Sequence, residues 1–240
     1  MLVGVTGRSL AKAGNRDGEY EDALLPADGL HESRVFRCAV ADGATETSYS
    51  GLWARLLVEA YVGNRLGSHL GGLASLSLRW QSEAGTAVRS WYAEEKLRQG
   101  AFAALVGLAL STHGSECRWH ALAAGDACLF QLRGEILLTA FPLNSPAAFS
   151  NRPALLSTVA GRNAKVPLQR WSGRALSGDR FLLMTDALAC WFLKEIERGD
   201  CPRREVHAAL EGDFAARIDV LRSTGELRND DVTLLAVDVG

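Results

Sequence analysis

The chain has 240 residues, of which 48% are hydrophobic and 22% are charged, and its formal net charge is −2. These values are typical of a globular protein and exclude a disordered or fibrous chain. Because the net charge is close to zero, we expect neither nucleic acid nor a membrane surface as the main partner. The length suits a single domain that covers residues 1–240.

In the first half of the chain, strand patterns give way to helical ones. The predicted elements are a strand at 2–6, a loop at 14–18, a strand at 35–41, a polar loop at 43–51 and a helix at about 77–99. Between the polar loop and the helix at about 77–99, another helix is predicted. Its apolar face is formed by Leu52, Trp53, Leu56, Leu57, Ala60 and Tyr61. Ser48 or Ser50 could cap this helix, and its apolar face should pack on a sheet.

The second half is richer in strands. Residues 101–110 fit either a short buried helix or a buried strand, and we favour the strand. Three strands at 117–123, 128–132 and 135–139 should follow as a meander, because short glycine-containing turns at 124–126 and 133–134 separate them. The remaining predicted elements are a strand at 180–185, helices at 188–198 and 204–222, and a strand at 232–237. Strands and helices grouped in this way predict an α+β fold.

The segment 142–178 differs from its surroundings, since it is rich in Pro, Ser, Asn, Gly and Arg and has few periodic apolar residues. We expect it to form an exposed, functionally variable surface.

The cysteines and the N-terminus bear on the compartment. Five cysteines without C-x-x-C spacing mostly lie in apolar runs, which predicts reduced, buried thiols at Cys38, Cys117, Cys128, Cys190 and Cys201. The N-terminus lacks a charged leader with a long apolar core, and the longest apolar stretch is too short to span a bilayer. We therefore expect a cytoplasmic protein without an export signal or a membrane span.

Five acidic signals lie at the edges of the apolar, strand-like runs. They are Glu21-Asp22, Asp42-Gly43, Gly125-Asp126, Asp186 and Asp230-Asp231. Carboxylates brought together repel one another unless protons or cations compensate, and oxygen ligands select hard cations such as Mg²⁺ or Mn²⁺. The pattern predicts a two-metal hydrolytic site. For Asp126 alone, a hairpin turn explains the Gly-Asp pair nearly as well as a metal ligand does.

Other catalytic classes have little support in the sequence. The five histidines show no H-x-x-x-H spacing, so a zinc hydrolase is not indicated. No P-loop, G-x-G-x-x-G or G-x-S-x-G motif is present, which argues against nucleotide-binding enzymes, kinases and serine hydrolases.

The order and surroundings of the acidic signals resemble the metal-dependent serine/threonine protein phosphatases of type 2C, also called the PPM family, over nearly the whole chain. The similar segments are Glu21-Asp22-Ala23, Val40-Ala41-Asp42-Gly43, Ala124-Gly125-Asp126-Ala127, Met184-Thr185-Asp186-Ala187-Leu188 and Asp230-Asp231-Val232-Thr233. The resemblance implies a four-layer α-β-β-α sandwich, in which two antiparallel sheets are flanked by helices.

The resemblance also implies metal ligands for two Mn²⁺ or Mg²⁺ ions and a third, weaker ion. The carboxylate of Asp42 would bridge two ions, the carbonyl of Gly43 would ligate one of them, and Asp186 and Asp230 would ligate the other. Asp126 together with Asp186 would hold the third ion.

Further roles follow from the same resemblance. Asp22 and Glu21 would support the metals directly or through bound water. Asp231 would lie beside a ligand without binding a metal itself. The catalytic residues would be Asp42 and Asp186 together with Arg16, which lies near the place of the phosphate-binding arginine of the family but is offset by one residue. Arg8 is the alternative for that role.

Three residues depart from the family pattern. Ala44 takes the place of a histidine that some members use as a general acid, Ala187 replaces a glycine, and Asp231 replaces an asparagine. The last change adds a negative charge beside a ligand.

Two functions therefore remain open. The first is a bacterial-type enzyme that hydrolyses phosphoserine and phosphothreonine in a phosphorylated protein and acts opposite a cognate serine/threonine kinase. The second, favoured by the departures, is a catalytically weak, phosphatase-like regulatory module that binds a phosphoprotein or a kinase partner.

Overall fold

The computed structural model describes residues 1–16, 19–44, 49–67, 70–86 and 97–240. Its strands are β1 (Leu2–Leu10), β2 (Ala23–Leu25), β3 (Gly29–Glu32), β4 (Val35–Gly43), β5 (Phe102–His113), β6 (Glu116–Ala124), β7 (Cys128–Arg133), β8 (Ile136–Phe141), β9 (Leu156–Ser157), β10 (Gln169–Ala175), β11 (Asp179–Met184) and β12 (Val232–Val239). Its helices are α1 (Ser50–Val62), α2 (Leu73–Gly85), α3 (Asp186–Arg198), α4 (Pro202–Glu211) and α5 (Phe214–Ser223), with short 3-10 helices at Pro146–Ala148 and Ala160–Lys165.

The strands form two antiparallel sheets. Sheet A has the strand order β3-β1-β12-β11-β7-β8, and sheet B has the order β10-β6-β5-β4-β2, with β9 pairing with β5. Side chains alternate between the two faces of a strand, so a strand that is buried on both faces is apolar throughout. In β5, Val106 and Leu108 point between the sheets, whereas Leu105 points towards the helices.

Apolar side chains fill the three spaces between four layers. The two sheets pack face to face, and Trp119 of sheet B meets Phe181 of sheet A edge-on, with 5.7 Å between the ring centroids. Helices α3, α4 and α5 cover the outer face of sheet A. Helices α1 and α2 cover the outer face of sheet B. The expected α-β-β-α sandwich is thus confirmed.

The predicted meander is wrong at its first turn. β6 belongs to sheet B and β7 to sheet A, so residues 125–127 carry the chain from one sheet to the other. Gly125 allows this crossing because its φ is +91°, and a Cβ there would lie 2.6 Å from the Cβ of Ala104. A short glycine-containing connection looks the same in the sequence whether it joins neighbouring strands or crosses between sheets. β7 and β8 do form a hairpin, and the strand favoured at 101–110 is β5.

The helix predicted at 204–222 is two helices. Gly212 separates α4 from α5, and the Asp213 side chain caps α5 by accepting a hydrogen bond from the backbone N–H of Ala216 at 2.9 Å. The helix predicted at 77–99 appears as α2, and residues 87–96 lie outside the described ranges. Within those ranges, no helix is long and apolar enough to cross a membrane.

The start of α1 also differs from the prediction. Ser50 is the first helical residue rather than the cap, and Tyr49 precedes it with a φ of 62°. The Ser50 hydroxyl instead donates a hydrogen bond to the carboxylate of Glu21. Ser48 lies outside the described ranges.

The segment 142–178 is mostly exposed, as expected, but it also contains β9 and the edge strand β10. The cysteines are all free thiols. Cys38 and Cys128 are buried as predicted, whereas burial was wrongly predicted for Cys201, which is exposed just before α4.

Candidate active site

The central strands of both sheets end at one pocket with a volume of about 430 Å³. It is lined by Asp42, Gly43, Ala44, Phe102, Asp126, Ser150, Asn151, Arg152, Pro153, Leu155, Asp186, Arg228 and Asp230. Four of the five acidic signals therefore contribute a carboxylate to one cavity.

Each of these carboxylates is placed by the end of a strand. Asp42 and Gly43 are the last residues of β4, and Asp126 follows the crossing from β6. Asp186 opens α3 directly after β11, where the positive end of the helix dipole favours a carboxylate. Asp230 lies two residues before β12. Sheet A and sheet B thus both supply acidic groups, which only the face-to-face packing brings together.

The carboxylates affect one another strongly. Burial raises the pKa of Asp42 well above its ordinary value, and the negative charges of Asp22, Asp186, Asp126 and Asp230 raise it further. Burial, followed by the charge of Asp186, raises the pKa of Asp126 to about 7. The pocket therefore carries an excess of negative charge that protons or cations have to compensate.

Asp22 lies behind the pocket rather than in its wall. Its side chain is buried and accepts a hydrogen bond from the Thr233 hydroxyl at 2.7 Å, and that hydroxyl also hydrogen-bonds the Tyr20 phenol. Burial raises the pKa of Asp22 well above its ordinary value. The negative charge of Asp22 contributes to the raised pKa of Asp42. The role of Asp22 as a metal ligand stays a prediction.

Glu21 and Asp231 hold the wall of the pocket in place. The two carboxylate oxygens of Asp231 accept backbone N–H bonds from Lys12 at 2.8 Å and from Glu21 at 2.7 Å. Gly43 packs so closely here that a Cβ would lie 2.5 Å from the carbonyl oxygen of Glu21. These contacts fix the end of β4 against the segment before β2.

Neither arginine considered for phosphate binding lines the pocket. Arg16 is exposed, and its backbone N–H donates to the Glu19 carboxylate at 2.8 Å. The guanidinium of Arg8 is held by Asp28 and by the carbonyl of Leu210.

Two other arginines line the pocket, and neither was predicted from the sequence. Nη2 of Arg228 donates to Asp186 Oδ2 at 2.5 Å and to Asp230 Oδ2 at 2.6 Å. The guanidinium of Arg152 makes no hydrogen bond or ion pair with any residue in the described part of the chain. Arg228 stands two residues before Asp230, which was the available signal for it. For Arg152 the signal was only its place in the exposed segment 142–178.

The donor chemistry of the pocket fits hard cations. Asp42, Asp186 and Asp230 offer carboxylate oxygens and Gly43 a carbonyl oxygen, which are the ligands that Mg²⁺ and Mn²⁺ prefer. Across the described ranges, however, no three acidic, cysteine or histidine side chains are arranged to hold a metal ion. Arg228 holds two of the carboxylates, so these groups would have to exchange partners for a metal to bind.

The family model described as protein phosphatase 2C matches residues 11–228. No curated protein sequence matches the chain.

Two solved proteins show the same fold. PppA of Pseudomonas aeruginosa, described as a key regulatory component of T6SS, is 24% identical with a TM-score of 0.58, and the match covers 99% of this chain and 98% of that one. The Mycobacterium tuberculosis serine/threonine phosphatase PstP/Ppp is 18% identical with a TM-score of 0.59, covering 100% and 99%. The catalytic domain of PstP in complex with two manganese ions matches at 18% identity and a TM-score of 0.58, with both chains covered completely, at 100%.

Proposed function

Because the chain belongs to the protein phosphatase 2C family, we propose that it hydrolyses phosphoserine and phosphothreonine in proteins with two Mn²⁺ or Mg²⁺ ions. The observation that supports this most is the convergence of Asp42, Asp186 and Asp230 from both sheets on one pocket. The two manganese ions of the PstP structure support the choice of metal.

The metals would be held by residues that the pocket already presents. Asp42, Gly43, Asp186 and Asp230 are the proposed ligands, and Asp126 with Asp186 would hold a third, weaker ion. When bound, such ions activate water for attack and neutralise the charge of the phosphoryl group. Behind the pocket, the Asp231 carboxylate accepts hydrogen bonds from the backbone N–H groups of Lys12 and Glu21, which would keep these ligands in register.

Arg152 is the proposed phosphate-binding residue in place of Arg16. It lines the pocket, and no group in the described part of the chain neutralises its guanidinium. A guanidinium matches the geometry of a phosphate with two parallel hydrogen bonds. In the assay below, Arg152→Gln should raise KM for the phosphopeptide about tenfold, the loss of one such contact, while the exposed Arg174→Gln should not.

The proposed substrate is a phosphorylated protein, and the proposed opposing enzyme is a serine/threonine kinase. The free thiols suit the reducing environment of the cytoplasm, which is the proposed location.

The test is release of phosphate from a phosphothreonine peptide with added Mn²⁺, with EDTA and in Asp42→Asn. We expect EDTA to abolish release and the substitution to reduce it on the order of a thousandfold, since several kcal/mol of charge stabilisation is lost. Asp200→Asn, at an exposed position outside the pocket, is the control and should keep full activity. Circular dichroism checks that all variants are folded. A folded wild-type protein that binds no divalent metal would show that the proposal is wrong.

The regulatory module is the second candidate, and Arg228 is the observation that favours it. The guanidinium of Arg228 already pairs with both Asp186 and Asp230. A protein that only binds phosphoproteins could keep this bridge permanently. Affinity for the phosphopeptide without turnover, in a metal-loaded protein, would favour this candidate.

A further inference from the structure

We propose that Arg228 is a displaceable counter-cation, which holds Asp186 and Asp230 together in the metal-free protein and competes with the divalent ion for them. This inference rests on the metal site of the proposed function. The proposed function names residues that support metal binding, and this inference names one that opposes it.

One nitrogen of the Arg228 guanidinium lies between the two carboxylates, where a metal ion would also contact both. Nη2 of Arg228 lies 2.5 Å from Asp186 Oδ2 and 2.6 Å from Asp230 Oδ2, so a single donor bridges the two carboxylates. Both carboxylates are proposed ligands of the same metal ion. The bridge therefore occupies oxygens that the ion would need.

The backbones of the two acidic residues are placed independently of Arg228. The carbonyl of Asp230 accepts a hydrogen bond from Arg222 at 2.6 Å, and its Oδ1 accepts the backbone N–H of Asp231 at 3.0 Å. Asp186 is fixed at the start of α3, immediately after β11. Removing the guanidinium would thus leave the backbones of both residues in place.

Arg228 itself has room to move. Its side chain is 54% exposed, against 15% for Asp186 and 30% for Asp230. It also lines an adjoining groove with Phe149, Lys194 and Glu226, which borders the active pocket. The carboxylate of Glu226 in that groove offers the released guanidinium a new partner.

Competition of this kind works through movement rather than proton loss, because a guanidinium remains charged at every pH that proteins tolerate. While the bridge is formed, the oxygens of Asp186 and Asp230 are not available, so the apparent metal affinity is reduced in proportion to the fraction of molecules in which they are free. Removing the bridge should strengthen metal binding.

The test is calorimetric titration of Mn²⁺ into the full chain after its metals have been stripped with a chelator. Arg228→Gln should bind Mn²⁺ about tenfold more tightly than the wild type, which is the effect of freeing a site occupied about nine-tenths of the time. Arg152→Gln is the matched control, because it removes one positive charge from the same pocket without touching Asp186 or Asp230. Its affinity should rise much less than that of Arg228→Gln.

Thermal unfolding gives a second readout that does not depend on activity. In EDTA, Arg228→Gln should melt below the wild type because two carboxylates lose their counter-charge, and saturating Mn²⁺ should remove or reverse that difference. Equal Mn²⁺ affinities in wild type and Arg228→Gln, or equal gains in both variants, would overturn this inference alone. Failure of all three folded proteins to bind Mn²⁺ would overturn the proposed function as well.

Discussion

At the scale of single residues, Asp231 shows how a departure from the family pattern can be structural. The added carboxylate does not face the pocket, and both of its oxygens accept backbone N–H bonds, from Lys12 and Glu21. An asparagine offers only one acceptor oxygen, and its amide group would face a second N–H donor. The negative charge is therefore explained by two donors that need acceptors.

We accordingly expect Asp231→Asn to destabilise the protein by about 1 kcal/mol, since one partly buried N–H loses its partner. The segment before β2 should loosen with it, so Mn²⁺ affinity should also fall. Urea unfolding and calorimetric titration measure the two effects. Asp200→Asn, at an exposed position, serves as the control. An Asp231→Asn protein as stable as the wild type would contradict this account.

At the scale of the elements, a glycine sets how closely α1 approaches sheet B. Gly107 lies in the middle of β5, and a Cβ there would stand 2.3 Å from a ring carbon of Tyr61 in α1. The Tyr61 ring thus occupies the space of a missing side chain. This close approach places α1 over β4, whose end supplies Asp42.

Gly107→Ala should therefore destabilise the protein by about 2 kcal/mol through overpacking, as measured by urea unfolding. Gly4→Ala in β1 is the matched control, because the nearest atoms to its Cβ would be at ordinary distances of 3.7 and 3.8 Å. Truncation of Tyr61 to leucine in the Gly107→Ala background should recover part of the loss. A loss that is the same with tyrosine or leucine at position 61 would mean that the ring contact is not its cause.

At the scale of the whole molecule, one buried carboxylate links the two sheets. Asp179 of β11 accepts hydrogen bonds from Arg133 at 2.7 and 2.9 Å, from Gln131 at 2.9 Å and from the backbone of Leu176 at 3.0 Å. Gln131 also donates to the carbonyl of Arg174 in β10 at 3.0 Å. β7 and β11 of sheet A are thereby connected to an edge strand of sheet B.

This network predicts a dependence of stability on pH. Burial alone would raise the pKa of Asp179, but the hydrogen bonds from Arg133, Leu176 and Gln131 outweigh it and hold the pKa below its usual range. A carboxyl with a lowered pKa in the folded state contributes stability above the pKa of the unfolded chain, about 4, and loses it as the pH falls further.

Asp179→Asn should therefore cost about 2 kcal/mol at pH 7, because the half-exposed guanidinium of Arg133 and the buried amide of Gln131 lose their charged acceptor. The difference from the wild type should shrink as the pH falls below about 4, because the Asp179 carboxyl of the unfolded chain takes up a proton there before that of the folded protein does. Urea unfolding at pH 7 and pH 3.5 measures both values. A difference that stays constant between these pH values would show that the charge of Asp179 is not responsible.

The family, the α+β class and most strands could be predicted from the sequence because they follow from local patterns. The apolar run at 101–110 became β5. The acidic signals at strand ends predicted Asp42, Asp126, Asp186 and Asp230 as site residues, and all four line the pocket. Periodicity and short motifs are properties of neighbouring residues, so they can be seen before the chain folds.

The partners of these residues were decided only by the tertiary structure. The crossing from β6 to β7, the two backbone donors of Asp231 and the bridge from Arg228 to Asp186 all join groups that are distant in sequence or lie in different sheets. Such contacts depend on how the two sheets pack face to face, which no local pattern encodes. The sequence by itself thus determined which acidic groups are present, and the packing of the sheets decided which cation and which donors meet them.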